Sequence, residues 1–306
     1  MSRKFIIAID LGGTNLKIAL LTGGYEFKDR QTLRTRRFAQ KDSLIQAIID
    51  AVNKIIEKNC LGKADILGVG LGLPGPIDVK QGVVYFFPNI RGWKQVNLKK
   101  ILQSKLGMPA FLDNDANLMS LAESKLGAAR GYKNAVCLTL GTGVGGGIII
   151  DGGLYRGTNS AAGEIGHIPI NEEGPSCNCG GRACLEAYIG NDKIIKAARK
   201  LFRRNISLEE LSLMARARNK QALQLWSEVG RRLGVALTGV VNFLNPGVIV
   251  IGGGVAGAGR ALFDQVKKTI FSRAMKVQTG QLKVVKAKLG SDAGLIGAAI
   301  LVKTGS

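Results

Sequence analysis

Acidic and aromatic residues are scarce in this chain. Against 43 Lys and Arg stand 22 Asp and Glu, a formal net charge of +21, and Phe, Trp and Tyr together make up 6%. Such a surplus attracts anions of every kind. A surface built for nucleic acid, however, clusters its basic groups and interleaves them with aromatic side chains. Here the basic groups are scattered, from Arg34-Thr35-Arg36-Arg37 through Arg199-Lys200 to Lys283 and Lys286. They read as solvated faces, and no nucleic-acid partner is expected.

Long apolar runs are also missing. The opening stretch carries two basic residues and an apolar run that stops at Asp10, too short for the core of a signal peptide. The stretches 135–150 and 248–258 are interrupted by glycines, and none reaches the roughly 18 apolar residues of a membrane span. The expected protein is soluble and cytoplasmic, with no membrane partner. Histidine occurs once, and five cysteines is an odd number, three of them crowded between 177 and 184. In a cytosolic chain that crowding points to metal rather than disulfides.

Glycine is what the chain has in excess: 42 of 306 residues, roughly twice ordinary usage. The glycines have no period of three, so collagen is excluded, and 46% hydrophobic residues exclude disorder. A chain of this length is expected to form two domains.

Phe5–Asp10 and Leu16–Leu21 read as two strands joined by a turn at Gly12-Gly13. A third strand is expected over 32–38 and an amphipathic helix over Ser43–Asn59, with Ser43 as its cap. Ile66–Leu73 reads as a buried strand stopped by Pro74-Gly75-Pro76. A helix over 96–106, a strand at 110–112 and a helix over 116–126 follow. A second strand–turn–strand unit spans Ala135–Leu140, a glycine turn and 147–151. Segment 152–187 reads as irregular. Helices are expected over 192–204, 207–217, 220–244, 260–271 and 292–302, with strands at 248–251 and 282–285.

The two hairpins carry matching turns, Asp10-Leu11-Gly12-Gly13-Thr14 and Leu140-Gly141-Thr142-Gly143. A device repeated in each half implies two similar α/β domains facing a cleft. The expected division is residues 1–117 with 292–306, a small domain, and 118–291, a large one carrying loop 167–184. Three stretches fit G-x-G-x-x-G, at 70–75, 141–146 and 252–257. None has the strand, helix and distant acid that a dinucleotide fingerprint needs, and no P-loop motif occurs. Side-chain-free turns bring backbone N–H groups close to phosphate oxygens instead. Asp10 at the base of the first turn can hold Mg²⁺ through water, and Thr14 and Thr142 add hydroxyls.

His167, Cys177, Cys179 and Cys184 form a tetrahedral zinc set with no open position, which marks a structural site. Cys60 and Cys137 read as buried hydrophobes. Asp113-Asn114-Asp115 stands at a strand end before a helix, where open α/β sheets bind ligands. Asp113 and Asn117 read there as helix caps. Glu164, three before His167, and Glu186, two after Cys184, would be pinned into one pocket by the metal, and such acceptors suit a polyol.

These motifs, together with Leu71–Pro76, Asn89-Ile90-Arg91-Gly92-Trp93, Gly163–His167 and Ile251–Gly254, resemble the ROK family of sugar kinases and repressors across almost the whole chain, and within it the bacterial glucokinases. The resemblance implies a two-domain actin-like ATPase fold and ATP-dependent phosphorylation of the 6-hydroxyl of glucose. Alternative acceptors are fructose, mannose, N-acetylglucosamine and N-acetylmannosamine. It implies Asp115 as general base, with Asn89, Asn114, Glu164, His167 and Glu186 on the sugar. Gly12, Gly13, Thr14, Asn15, Gly141, Thr142 and Gly143 would line the phosphates, Asp10 would lie near Mg²⁺, and Gly253 and Gly254 by the adenosine. Family members are commonly homodimers or homotetramers. ROK repressors carry a DNA-binding domain before the kinase-like part; with the first strand expected at Phe5, none is expected here. Polyphosphate glucokinases generally lack the cysteine loop. Ala183 and Gly190 stand where the family usually has Gly and Ser, so the pocket floor is expected to differ.

Overall fold

The computed structural model describes residues 4–87 and 90–305. It divides into two compact units, Met1–Ala122 with Arg156–Ala162 and Ser291–Ser306, and Glu123–Tyr155 with Gly163–Gly290.

The first unit opens with β1 (Phe5–Leu11), β2 (Asn15–Thr22) and β3 (Phe27–Arg34), followed by α1 (Lys41–Lys58) and β4 (Ile66–Leu73). Short strands β5 (Ile77–Asp78), β6 (Val83–Phe86) and β7 (Lys94–Asn97) form a small separate sheet, and α2 (Leu98–Leu106), β8 (Ala110–Asn114) and α3 (Asp115–Leu126) follow. The main sheet runs β3-β2-β1-β4-β8. β1 and β2 are antiparallel, with Leu11 opposite Leu16, and β4 is parallel to β1 and β8. Ile7, Ile9 and Leu11 of β1 and Val69, Leu71 and Leu73 of β4 share one core with the apolar stripe of α1.

Some expectations need correcting here. The third strand lies earlier, at Phe27–Arg34, and 35–37 is a single 3₁₀ turn. Its alternating, half-exposed pattern is that of an edge strand, where charged residues are tolerated. Helix α1 begins two residues before Ser43. Ser43 is not its cap, because its hydroxyl donates to the Gln40 carbonyl at 2.8 Å. Residues 94–97 are strand rather than the start of a helix. Cys60 is exposed in a left-handed turn beyond α1 (φ +51°), where Leu61 takes the more covered position.

The second unit contains β9 (Ala135–Leu140), β10 (Val144–Ile150) and β11 (Gly153–Tyr155). Helices α4 (Glu186–Ile189), α5 (Asn191–Phe202), α6 (Leu208–Arg216) and α7 (Lys220–Leu244) follow, then β12 (Val248–Gly252), α8 (Arg260–Arg273), α9 (Lys276–Thr279) and β13 (Lys283–Lys286). Its sheet runs β11-β10-β9-β12-β13, antiparallel among the first three and parallel from β9 onward. This repeats the connectivity of the first sheet strand for strand. Trp226 of α7 is fully buried in a core shared by β9, β12, α7 and α8. Glu123 is also fully buried, and its carboxylate accepts N–H groups from Ala128, Lys288 and Leu289 at 2.6, 3.1 and 2.8 Å.

The last helix, α10 (Ala293–Thr304), packs on β1, β4 and β8. Its approach explains the alternating glycines of β4: a Cβ at Gly70 would run into the Ala298 carbonyl, so only glycine lets the helix lie that close. Among the described residues no helix is long and apolar enough to cross a membrane.

Candidate active site

The turn between β1 and β2 is held from below. Gly12 N–H donates to the Asn15 carbonyl at 2.9 Å, and Thr35 closes on it twice, its hydroxyl to the Gly12 carbonyl at 2.8 Å and its N–H to the Thr14 carbonyl at 2.9 Å. Gly13, Thr14 and Asn15 are exposed, and a Cβ at Gly13 would meet nothing within 4 Å. The turn therefore presents open backbone. Asp10 sits at its base with a side chain 19% exposed, 3.6 Å from the Lys17 ammonium.

Burial raises the Asp10 carboxyl above its ordinary 3.8, and Lys17 offsets this only in part. A carboxyl whose folded pKa is raised adds stability that is complete below the unfolded value and lost as pH rises through the folded one. At neutral pH the ionised Asp10 thus costs stability. Asp10→Asn is expected to melt above wild type at pH 7, with the gap closing as pH falls towards 3.8. A lower melting temperature at pH 7 contradicts this.

In the same unit, the end of β8 feeds directly into α3. Asn114 acts as the helix cap: its Oδ1 accepts from Ala116 N–H at 2.9 Å and from Asn117 N–H at 3.4 Å. Its amide donates to the Gly75 carbonyl at 3.4 Å, which ties this turn to the Pro74-Gly75-Pro76 stop. Asp115 is half-buried, with Oδ1 accepting from Ala116 N–H at 2.8 Å. Asp113 is not a cap. It is fully buried and accepts from Asn114 N–H, the Asn117 amide and Arg156 Nε. Asn89 lies outside the described residues.

In the second unit, Gly141 N–H donates to the Gly143 carbonyl at 2.9 Å across the turn from β9 to β10, and Thr142 is exposed at its tip. The Glu186 carboxylate reaches this turn and accepts from Val144 N–H at 2.8 Å. A Cβ at Gly143 would lie 2.5 Å from that carboxylate, so a side chain here would displace it from the turn. Gly253 (φ +82°) lies against Leu140, the residue before the turn, and Gly253 and Gly254 are exposed beside it. The second unit therefore gathers Gly141–Gly143, Glu186 and Gly253-Gly254.

His167 closes a 3₁₀ turn at Ile165–His167. Gly163 (φ +91°) leads into it packed on the Gly146 carbonyl, a contact and a conformation that a side chain would forbid. The ligand atoms of His167, Cys177, Cys179 and Cys184 all lie within 4.8 Å of one another. Cys177 Sγ is 3.6 Å from His167 Nδ1, and Cys179 Sγ is 3.7 Å from Cys184 Sγ. A tetrahedral zinc with bonds of about 2.3 Å to sulfur and about 2.0 Å to nitrogen separates its ligands by roughly 3.5–3.8 Å. The donor set fits. Without a cation, burial and the neighbouring thiols push the Cys184 thiol up to about 12, whereas the Gly181 N–H lowers that of Cys179. With Nδ1 facing the thiols, Nε2 faces Glu164, whose carboxylate is 3.8 Å away.

Residues 6–305 match the ROK family. The chain belongs to the ROK family. It is 36% identical to a glucokinase of Halalkalibacterium halodurans, over 99% of this chain and 96% of that protein. It is 31% identical to a xylose repressor of Caldicellulosiruptor bescii, over 97% of this chain and 77% of the repressor. A ROK family glucokinase from Streptomyces griseus, solved with glucose and AMPPNP, superposes with a TM-score of 0.84 at 29% identity, covering 98% of this chain and 99% of that one. The mixed α/β architecture with its repeated five-stranded sheets is the actin-like ATPase fold of this family.

Both departures from the family pattern now have a place. Ala183 is fully buried with φ +56°, a conformation that favours glycine. Ala183→Gly is expected to stabilise the protein by about 0.5–1 kcal/mol, the relief of left-handed strain less the extra entropy of an unfolded glycine. A urea midpoint unchanged or lowered is the contrary result. At Gly190 a Cβ would stand 3.0 Å from the Thr142 carbonyl, so a serine there would press on the turn from β9 to β10. Sequence reasoning missed Arg156, whose only signal was an isolated cation in an irregular stretch.

Proposed function

We propose that this ROK protein is an ATP-dependent hexose kinase whose acceptor is the 6-hydroxyl of glucose. The observation that carries the reading is the second unit's arrangement around the thiol cluster. One imidazole turns Nδ1 to three thiols and Nε2 towards Glu164, and Glu186, two residues past the last cysteine, is bonded to the turn at Val144. A metal on Nδ1 leaves the ring proton on Nε2. The imidazole then donates where the two glutamates accept, a set matched to the hydroxyls of a sugar.

Zinc, when bound, supplies a fixed charge that ties His167 to the cysteine loop and takes no part in bond making. Asp115 accepts the proton of the sugar 6-hydroxyl as its oxygen attacks the γ-phosphorus, and Asn114 orients the neighbouring hydroxyls. The turns Gly12–Asn15 and Gly141–Gly143 receive phosphate oxygens, Asp10 faces the water shell of the nucleotide's Mg²⁺, and Gly253-Gly254 lie beside the adenosine. Phosphoryl transfer asks mainly for positioning and charge stabilisation. Both turns are built for that, braced by Thr35 in one unit and by Glu186 in the other.

The relatives named glucokinase support glucose as acceptor. Steady-state kcat/KM for glucose, fructose, mannose, N-acetylglucosamine and N-acetylmannosamine, each with ATP and with polyphosphate, tests the assignment. Glucose with ATP is expected to give the highest value. A preference for another pair overturns the substrate assignment, and no turnover with any pair overturns the kinase.

A further inference from the structure

The roles above leave Asp113 and Arg156 unused, although Asp113 is the most completely buried carboxylate beside the proposed base. It stands one residue from the end of β8 with no exposed surface. A buried carboxylate holds its charge only with partners for its oxygens. Oδ1 accepts Asn114 N–H at 2.7 Å and the Asn117 amide at 2.9 Å, and Oδ2 accepts Arg156 Nε at 2.8 Å. One side chain thus holds the backbone just before Asp115 and the first turn of the helix that Asp115 begins.

Arg156 opens the short segment Arg156–Ala162, which is grouped with the first unit although the residues on either side of it belong to the second. The segment is closed on itself by Ala162 N–H donating to the Arg156 carbonyl at 3.0 Å. The chain that leaves it carries Glu164 and His167 within the next five residues. The ion pair therefore ties the turn bearing Asn114 and Asp115 to the first residue of this segment, within the first unit.

We propose that Arg156 is a positioning residue for phosphoryl transfer: its Nε holds Asp113 Oδ2, so that Oδ1 stays on the Asn114 N–H and the Asn117 amide, and so fixes Asp115 against the sugar hydroxyl. The inference rests on the kinase reading above. A displacement on the order of 1 Å at such a site costs about 100-fold in rate. Arg156→Met leaves a charge buried without its partner, whereas Asp113→Asn combined with Arg156→Met leaves none, and its side-chain oxygen still accepts from Asn114.

The test is steady-state kinetics on purified full-length protein with glucose and ATP, corrected for folded fraction by thermal melting. Arg156→Met is expected to lose about 100-fold in kcat with the KM for ATP unchanged, and the double variant to recover about tenfold of that loss, the non-additivity of a coupled pair. A merely structural pair would lower the melting temperature, leave the kcat of folded molecules alone and show no recovery. Near-wild-type kcat in Arg156→Met, or a double variant no faster than the single one, overturns the proposal. If Arg156→Met does not fold, Arg156→Lys decides: it keeps the charge but loses the Nε donor, and is expected to lose about tenfold in kcat, unchanged kcat being the overturning result. A wild-type protein without hexose-dependent ADP formation overturns the kinase reading and this inference with it. An active wild type with an unimpaired Arg156→Met overturns this inference alone.

Discussion

Asp115→Asn is expected to lower kcat by about 10³-fold, within the range that general acid–base catalysis contributes, with the KM for glucose nearly unchanged. The amide is isosteric, and its oxygen can still accept the Ala116 N–H that Asp115 Oδ1 accepts at 2.8 Å. The cap of α3 is supplied by Asn114, not Asp115, so the helix start survives. What the proposed base loses is the ability to take a proton from the sugar hydroxyl. Because that proton moves only as the oxygen attacks, the loss falls on kcat rather than on ground-state binding. Turnover within a few-fold of wild type would place the base elsewhere. A large rise in KM with kcat retained would make Asp115 a binding residue only.

Removing zinc is expected to be nearly as severe. Among the described residues Cys177, Cys179, Cys184 and His167 form the one such ligand cluster, and elemental analysis should find one zinc per chain. The exposed tip of the loop that carries the cysteines closes on itself, while Ala183 ties its return to Pro175 and Ile170. Cys177 N–H donates to the Gly181 carbonyl at 2.8 Å, Gly180 N–H to the Cys177 carbonyl at 3.0 Å, and Cys179 is exposed. Structural zinc supplies folding free energy directly, so its loss releases His167, Glu164 and Glu186 together. Stripping the metal by chelation, or Cys184→Ser, is expected to cut kcat/KM for glucose by about 100-fold or more and to lower the melting temperature, with restoration when zinc is returned to the stripped wild type. Metal-free protein with full activity and an unchanged melting temperature would reduce the cluster to a set of thiols.

Much of the fold was legible in the sequence wherever apolar runs met strong stop signals. β4 ends at Pro74-Gly75-Pro76, β9 at Gly141, and α7 at Asn245-Pro246, each as its residues predict. The matching turns after Asp10 and Leu140 anticipated the shared strand order of the two sheets. The small sheet β5–β7 escaped because strands of two to four residues show no usable periodicity. Cys60 was misplaced because its apolar neighbours say nothing about a left-handed turn. In the site, the thiol cluster was legible from spacing alone. The Asp113–Arg156 pair was not, since its partners are 43 residues apart, Asp113 read as a helix cap and Arg156 stood outside any motif.

The net charge of +21 has found no site that depends on it. The ion pairs that matter are local ones, Asp10 with Lys17 and Asp113 with Arg156.

The most direct measurement is the product itself: purified protein incubated with glucose and Mg²⁺·ATP, followed by phosphorus and carbon NMR. Stoichiometric ADP and a phosphate ester on carbon 6 of glucose are the predicted result. ATP left intact, ADP formed without sugar, or an ester on any other carbon would contradict it.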